Sequence, residues 1–259
     1  MKNALIGYNG FLGSNLKHQT EFGFFFNSKN IHAIKDNKYD LVVCCAPNAE
    51  KWLANKEPTK DLINIKKLIL NLKDIKCNKF ILISTVDVFS IPSDINEDTF
   101  IDEKNLQPYG LNRRFLEKFV ETHFKNKMIV RLPGLIGSGL KKNAIFDLHN
   151  DNQVFKIDSR NCYQFYPVCD LWKYIILANN LNLKLIHLNS EPISIYDISK
   201  ECFGKVFINE LNKPIQNYNL KSLHVKVLTG RSGYYFYKKS EIISNIKAYI
   251  KSEEKIKNK

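Results

Sequence analysis

The sequence predicts an α/β fold: a doubly wound parallel sheet covered by helices, with a smaller second domain assembled from discontinuous pieces. Three observations carry this. Nearly continuous apolar runs rich in β-branched or aromatic residues recur along the first half of the chain, as in strands buried on both faces. Segments of helical period lie between them, and strands alternating with helices imply right-handed crossovers. After about residue 133 the pattern breaks into shorter, mixed segments.

Taken in order, ALIG (4–7) is a short strand ending at glycine, and the following NGFLGSNL turns into a helix. GFFFN (23–27) and DLVVCCA (40–46) are the next two strands. KDLINIKKLILNLKD (60–74) is a helix with Leu62, Ile65, Leu68, Ile69 and Leu72 on one side. KFILIST (79–85) is the fourth strand, LNRRFLEKFVETHF (111–124) a helix in which Leu111, Phe115 and Phe119 recur every four residues, and KMIVRL (127–132) the fifth strand.

Beyond it come the glycine-punctuated PGLIGSGLKKN, a helix, a hairpin-like region NQVFKIDSRNCYQFYPV (152–168), a helix from Asp170 and the run LKLIHLNS. The last segments carry Pro192, Pro214 and the aromatic cluster GYYFYKK (233–239). Residues 1–135, with 165–190 returning to them, are expected to form the first domain, and 136–164 with 191–259 the second.

Composition bounds the function classes. The 259 residues are 44% hydrophobic and 12% aromatic, enough for a sizeable core. Lys and Arg outnumber Asp and Glu by 39 to 26, for a formal net charge of +13. No aromatic-interleaved basic helix or zinc-finger spacing accompanies that charge, so a specific nucleic-acid partner is not expected, whereas a basic face suits a phosphorylated ligand. The six cysteines show no C-x-x-C pair, and the six histidines are scattered, so no metal site is expected. The thiols read as those of a cytoplasmic protein. No apolar run reaches membrane-spanning length and no signal peptide is expected at the N-terminus.

Gly7-Tyr-Asn-Gly10-Phe-Leu-Gly13 is G-x-x-G-x-x-G between the first strand and the first helix. In a Rossmann-type domain such glycines let backbone amides and the helix start approach a pyrophosphate. Gly7, Asn9, Gly10, Phe11, Leu12 and Gly13 are therefore candidate dinucleotide-binding residues. An NAD site usually has an acidic residue about twenty positions further on. This chain has Asn27-Ser28-Lys29 there. Without a carboxylate to repel a 2′-phosphate, these residues favour NADP(H), with NAD(H) the alternative.

Ser84, Thr85 and Asp87 lie at the end of the fourth strand, where open α/β sheets place ligand contacts. Tyr109 follows, with Arg113 one helical turn beyond it. A cation there stabilises a phenolate, and a tyrosine so biased can exchange a proton with an alcohol or ketone while hydride moves to or from nicotinamide.

The motifs GYNGFLG, STVDVF followed by Glu97-Asp98, PYGLNR and RLPGLIG (131–137), in this order, resemble the extended short-chain dehydrogenase/reductase family of nucleotide-sugar epimerases, dehydratases and reductases. The resemblance implies Thr85 as the catalytic hydroxyl and Tyr109 as general acid/base. It puts Arg113 where the family's Tyr-x-x-x-Lys motif has lysine, Ala46 and Pro47 beside the cofactor, and Pro133 next to nicotinamide. Asp87 is the one acid after Thr85, since Val86 occupies the first acidic position of the dehydratases, which argues against sugar 4,6-dehydration. Asn143 resembles an asparagine used near the substrate diphosphate. Arg160 and Arg231 suit phosphate oxygens, and Phe165 a base or sugar pocket; with Ser84 and Asn143 these are the candidate substrate contacts.

The expected protein is thus an NAD(P)-dependent oxidoreductase or epimerase acting on a nucleotide-linked sugar, in cell-surface polysaccharide synthesis, working as a homodimer. The alternative is a dinucleotide-binding sensor or scaffold that has lost the chemistry, favoured by arginine at 113.

Overall fold

The computed structural model describes residues 2–253. Six parallel strands form the main sheet, in the order Leu185–His187, Lys127–Leu132, β4, β3, β1, β2, where β1 is Asn3–Ile6, β2 Phe24–Phe26, β3 Lys38–Cys44 and β4 Lys76–Thr85. Each expected run supplies one of these strands. Order reverses between β1 and β3, the arrangement that opens a crevice at the carboxyl ends of the strands.

The sheet is buried because its residues can be buried on both faces. Ala4, Leu5, Val42, Val43, Phe80 and Ile81 have no exposed surface. Helices α1 (Phe11–Lys17), α2 (Lys51–Lys56), α3 (Pro58–Leu72) and α4 (Pro108–His123) belong to the same compact unit, which comprises 1–90, 99–131 and 171–186. In α3 the expected stripe turns inward, with Ile65 and Leu72 fully buried.

Helix α4 departs from expectation. Leu111 and Phe115 are each 41% exposed, while Tyr109, Asn112, Arg113, Leu116, Glu117 and Val120 are buried. Its inward face is held by ion pairs as well as by packing. Glu117 is fully enclosed, and its carboxylate accepts from Arg131 Nε at 3.0 Å, Arg131 Nη2 at 2.8 Å and Arg114 Nη1 at 3.0 Å. A buried carboxylate persists only with partners of this kind.

The second compact unit comprises 91–98, 132–170 and 187–259, of which residues to 253 are described. The hairpin expected over 152–168 does not form. Cys162–Tyr163 pairs antiparallel with Ile193–Ser194, and Phe165–Pro167 pairs parallel with Gly134–Ile136. Between these short strands the buried Gln164 amide donates to the Leu220 carbonyl at 2.8 Å and accepts from the Leu220 amide at 2.6 Å. Helices Ala144–Asn150, Ile195–Phe203, Val225–Thr229 and Lys239–Ser252 belong to the same unit.

Candidate active site

The chain turns from β1 to α1 across the glycine loop. The Gly7 amide donates to the Phe26 carbonyl at 2.7 Å, and the Gly10 amide to the Gly7 carbonyl at 3.0 Å. A Cβ on Gly13 would lie 2.2 Å from the Gly7 oxygen and 2.7 Å from Tyr8 Cα, so only glycine lets the first turn of α1 run this close to the loop. At Gly10, which precedes α1 without a side-chain cap, a Cβ would meet nothing nearer than 3.4 Å. The surface over Gly10 is open, as close approach by a phosphate requires. Asn9 is exposed, Phe11 and Leu12 are half-buried, and Gly7 lies against the Cys45–Ala46 backbone. This brings the Ala46-Pro47 segment beside the loop.

At the end of β2, Asn27 bonds the Tyr8 hydroxyl through Nδ2 at 3.2 Å and accepts from the Lys29 amide at 2.9 Å. Ser28 and Lys29 are exposed.

The second cluster forms where α4 meets the turn after β4. A Cβ on Gly110 would fall 2.0 Å from the Asp87 carbonyl oxygen, so backbone meets backbone here and Tyr109 is carried to Thr85. Thr85 lies close enough to the Tyr109 phenol to favour its ionised form. The Tyr109 amide, one of the helix's unpaired first donors, is satisfied by Asn55 Oδ1 at 2.9 Å. Burial pushes the phenol above its ordinary pKa; Arg113, Thr85 and Lys51 pull it down and Asp87 pushes it up, but burial prevails.

Arg113 is engaged on three sides. Its guanidinium carbon lies 4.4 Å from the centroid of the Tyr109 ring, over the face. It pairs with Asp61 at 2.8 and 3.2 Å and donates to the Asn48 carbonyl at 2.6 Å. The arginine therefore meets Tyr109 at the ring face, and its charge still lowers the phenol's pKa. Two residues that local sequence did not single out complete the cluster: Asp61, and Lys51, whose Nζ donates to Asp87 Oδ1 at 2.7 Å. No periodicity or motif links them to their partners, which lie 52 and 36 positions away.

No protein-family model and no curated protein sequence matches the chain. Solved structures do. A dTDP-4-dehydrorhamnose reductase from Clostridium acetobutylicum ATCC 824 is similar at a TM-score of 0.76 and 18% identity, covering 97% of this chain and 99% of that one. The dTDP-4-dehydrorhamnose reductase from Bacillus anthracis str. Ames, in complex with NADP, is similar at 0.74 and 16%, over 98% and 99%. A UDP-glucuronic acid 4-epimerase from Bacillus cereus, in complex with a UDP sugar and NAD, is similar at 0.74 and 18%, over 97% and 98%.

The chain has the extended short-chain dehydrogenase/reductase fold. Within this extended short-chain dehydrogenase/reductase fold, Thr85, Tyr109, Arg113 and Asp87 lie together in the first unit, which also carries the glycine loop. Ser84 turns away from them: its hydroxyl donates to Glu117 Oε1 at 2.6 Å. In the second unit Asn143 caps a helix, accepting from the Ile145 and Phe146 amides at 3.0 and 3.1 Å and donating to the Leu135 carbonyl at 2.8 Å. Arg160 pairs with Asp158 and Glu210, and Arg231 with Glu241. Phe165 is buried against Gly134, and Pro133 is half-buried. These side chains thus have structural partners. Among the described residues no group of three or more His, Cys, Asp or Glu is placed to hold a metal ion, and no helix is long and apolar enough to cross a membrane.

Proposed function

We propose that the chain is an NAD(P)-dependent oxidoreductase or epimerase acting on a nucleotide-linked sugar, with Tyr109 as its acid/base. The observation that carries this is the buried Tyr109 phenol, brought to the Thr85–Asp87 turn by the close approach of Gly110, in the unit that also carries an open glycine loop. The residues present fit the cofactor: the amides around Gly10 would hold the pyrophosphate, and Ser28 and Lys29 a 2′-phosphate, which favours NADP(H) over NAD(H). When bound, nicotinamide supplies or accepts hydride.

The remaining work falls to side chains. Thr85 donates a hydrogen bond to the substrate oxygen, and Tyr109 gives that oxygen a proton as negative charge develops on it, or removes the proton in the reverse direction. Because burial raises its pKa, Tyr109 is a neutral phenol at neutral pH. That is the form that gives a proton to a carbonyl oxygen under reduction, a step that a reductase and the second half of an epimerisation share. The exposed Ile63, Leu70, Leu111 and Phe115 on α3 and α4 support a homodimer through these helices. A cytoplasmic role in polysaccharide assembly is part of the same reading.

One observation favours a second reading, a nucleotide-binding sensor or scaffold: Arg113 is held by Asp61 and Asn48. Calorimetric titration of the wild-type protein and Tyr109→Phe with NADPH, NADP+, NADH and NAD+ separates the two, together with turnover of keto-sugar nucleotides. The enzyme reading expects nucleotide binding by both proteins and a turnover loss of about 10²- to 10⁴-fold in Tyr109→Phe. Binding without turnover leaves the scaffold, and no binding to any of the four refutes both.

A further inference from the structure

Two asparagines at the glycine loop each precede a small residue. Asn9-Gly10 lies inside the loop and is the one Asn-Gly step in the sequence, and Asn27-Ser28 follows β2. Their side-chain amides are held very differently. Asn27 Oδ1 accepts from the Lys29 amide at 2.9 Å, and its Nδ2 donates to the Tyr8 hydroxyl at 3.2 Å. Asn9 is exposed, and its side chain has no hydrogen-bond partner among the described residues. Gly10 is exposed beside it, and a Cβ there would meet nothing nearer than the Gly7 oxygen at 3.4 Å. Packing thus tolerates a side chain at 10, and its absence leaves the Gly10 nitrogen unshielded next to a free asparagine.

We propose that Asn9 is a site of spontaneous deamidation, and that the carboxylate it leaves bars phosphate groups from the loop. The Gly10 nitrogen attacks the Asn9 side-chain carbonyl carbon. An N–Cγ bond forms, the Cγ–Nδ2 bond breaks, and Nδ2 leaves as ammonia with the proton that Gly10 gives up. Water then opens the resulting cyclic imide at either carbonyl, giving aspartate or, with the backbone rerouted through Cγ, isoaspartate. Water is the sole co-reactant. What restrains the attack is the hydrogen bond from the Gly10 amide to the Gly7 carbonyl at 3.0 Å, so reaction proceeds from the locally opened loop, where glycine's conformational freedom lets the ring close. Either product adds a negative charge, and isoaspartate also lengthens the backbone. In a loop whose amides would hold a pyrophosphate, like charge at that range opposes binding. This consequence rests on the proposed reading of the loop as a nucleotide site; the modification itself does not.

The test is incubation of the purified, nucleotide-free protein in warm, mildly alkaline buffer, followed by tandem mass spectrometry of its peptides, with fragmentation separating Asn9 from Asn3 and Asn15. Asn27 is the internal reference: two hydrogen bonds must break there first, so Asn9 should convert at least about tenfold faster. Gly10→Ala should slow conversion at Asn9 several-fold, because the added methyl shields the nitrogen. Thermal melts check that this variant folds; if it does not, the comparison with Asn27 carries the test. NADPH at about ten times its Kd should slow conversion by the same factor, because only the free fraction reacts. Asn9→Asp should bind NADPH at least about tenfold more weakly than wild type in calorimetric titration. Conversion at Asn9 no faster than at Asn27, or unchanged in folded Gly10→Ala, overturns the modification. Asn9→Asp binding as tightly as wild type overturns its consequence and leaves the proposed function intact. A chain that binds no nucleotide refutes the proposed function and that consequence together, while conversion at Asn9 is still decided by the mass spectra.

Discussion

Replacing Arg113 with methionine removes the guanidinium while keeping much of its aliphatic volume. Arg113 and Asp61 side chains are only 6% and 13% exposed, so the variant strands a carboxylate. Breaking such a pair from one side costs about 3–5 kcal/mol. Loss of the contact with the Tyr109 ring adds roughly 0.5–2 kcal/mol. Against this, Asp61 keeps a hydrogen bond from Asn112 Nδ2 at 2.9 Å and some solvent. The expected net loss is about 3–4 kcal/mol. Asp61→Asn should cost about 2–3 kcal/mol, since the guanidinium retains the Asn48 carbonyl. The double variant Asp61→Asn/Arg113→Met should recover at least about 2 kcal/mol of the summed losses, because no lone charge remains buried. Urea denaturation followed by tryptophan fluorescence reads this directly, because Trp52 and Trp172 both lie in the first unit. A loss below about 1 kcal/mol for Arg113→Met with an unchanged slope, or strict additivity in the double variant, would refute the pairing as a structural determinant.

Gly110→Ala forces a Cβ onto the Asp87 carbonyl oxygen; it should destabilise the first unit by about 2–4 kcal/mol by urea denaturation and displace Tyr109 from Thr85, which on the proposed function removes turnover. Asn143→Ala removes a helix cap at a residue with φ of 128°. It should lower stability by about 1–3 kcal/mol in thermal or chemical melts, whereas a substrate contact would instead raise KM at unchanged stability. The Arg160 guanidinium holds the Asp158 carboxyl well below the usual carboxylate range. A depressed folded-state pKa contributes stability that is present above the unfolded value near pH 4 and lost as pH falls toward the folded one. Asp158→Asn should therefore lower stability most near neutrality and flatten the acid limb, the two profiles converging as pH falls below about 4.

The parallel sheet was legible because strands buried on both faces must be apolar at nearly every position, which leaves a run such as Phe80–Ile83 in plain view. The glycine loop was legible for a related reason, since backbone proximity at Gly13 excludes every side chain. Helix α4 was legible as a helix, but its orientation was not. An apolar stripe at Leu111 and Phe115 reads as a core face, yet the buried face carries Arg113 and Glu117, whose partners Asp61 and Arg131 stand 52 and 14 residues away. The short strands around Gln164 were paired wrongly because two- and three-residue strands contain too few side chains to specify a partner.

By itself, then, the sequence determined the alternation of strand and helix, the place of the phosphate-sized turn and the residue types Thr85, Asp87, Tyr109 and Arg113 at the ends of the right elements, because periodicity and turn chemistry are written among near neighbours. Only the tertiary structure decided that Arg113 answers to Asp61, that Ser84 answers to Glu117, and that Lys51 reaches Asp87. Those pairings depend on which charges burial brings within hydrogen-bond distance, and burial is a property of the whole packed chain.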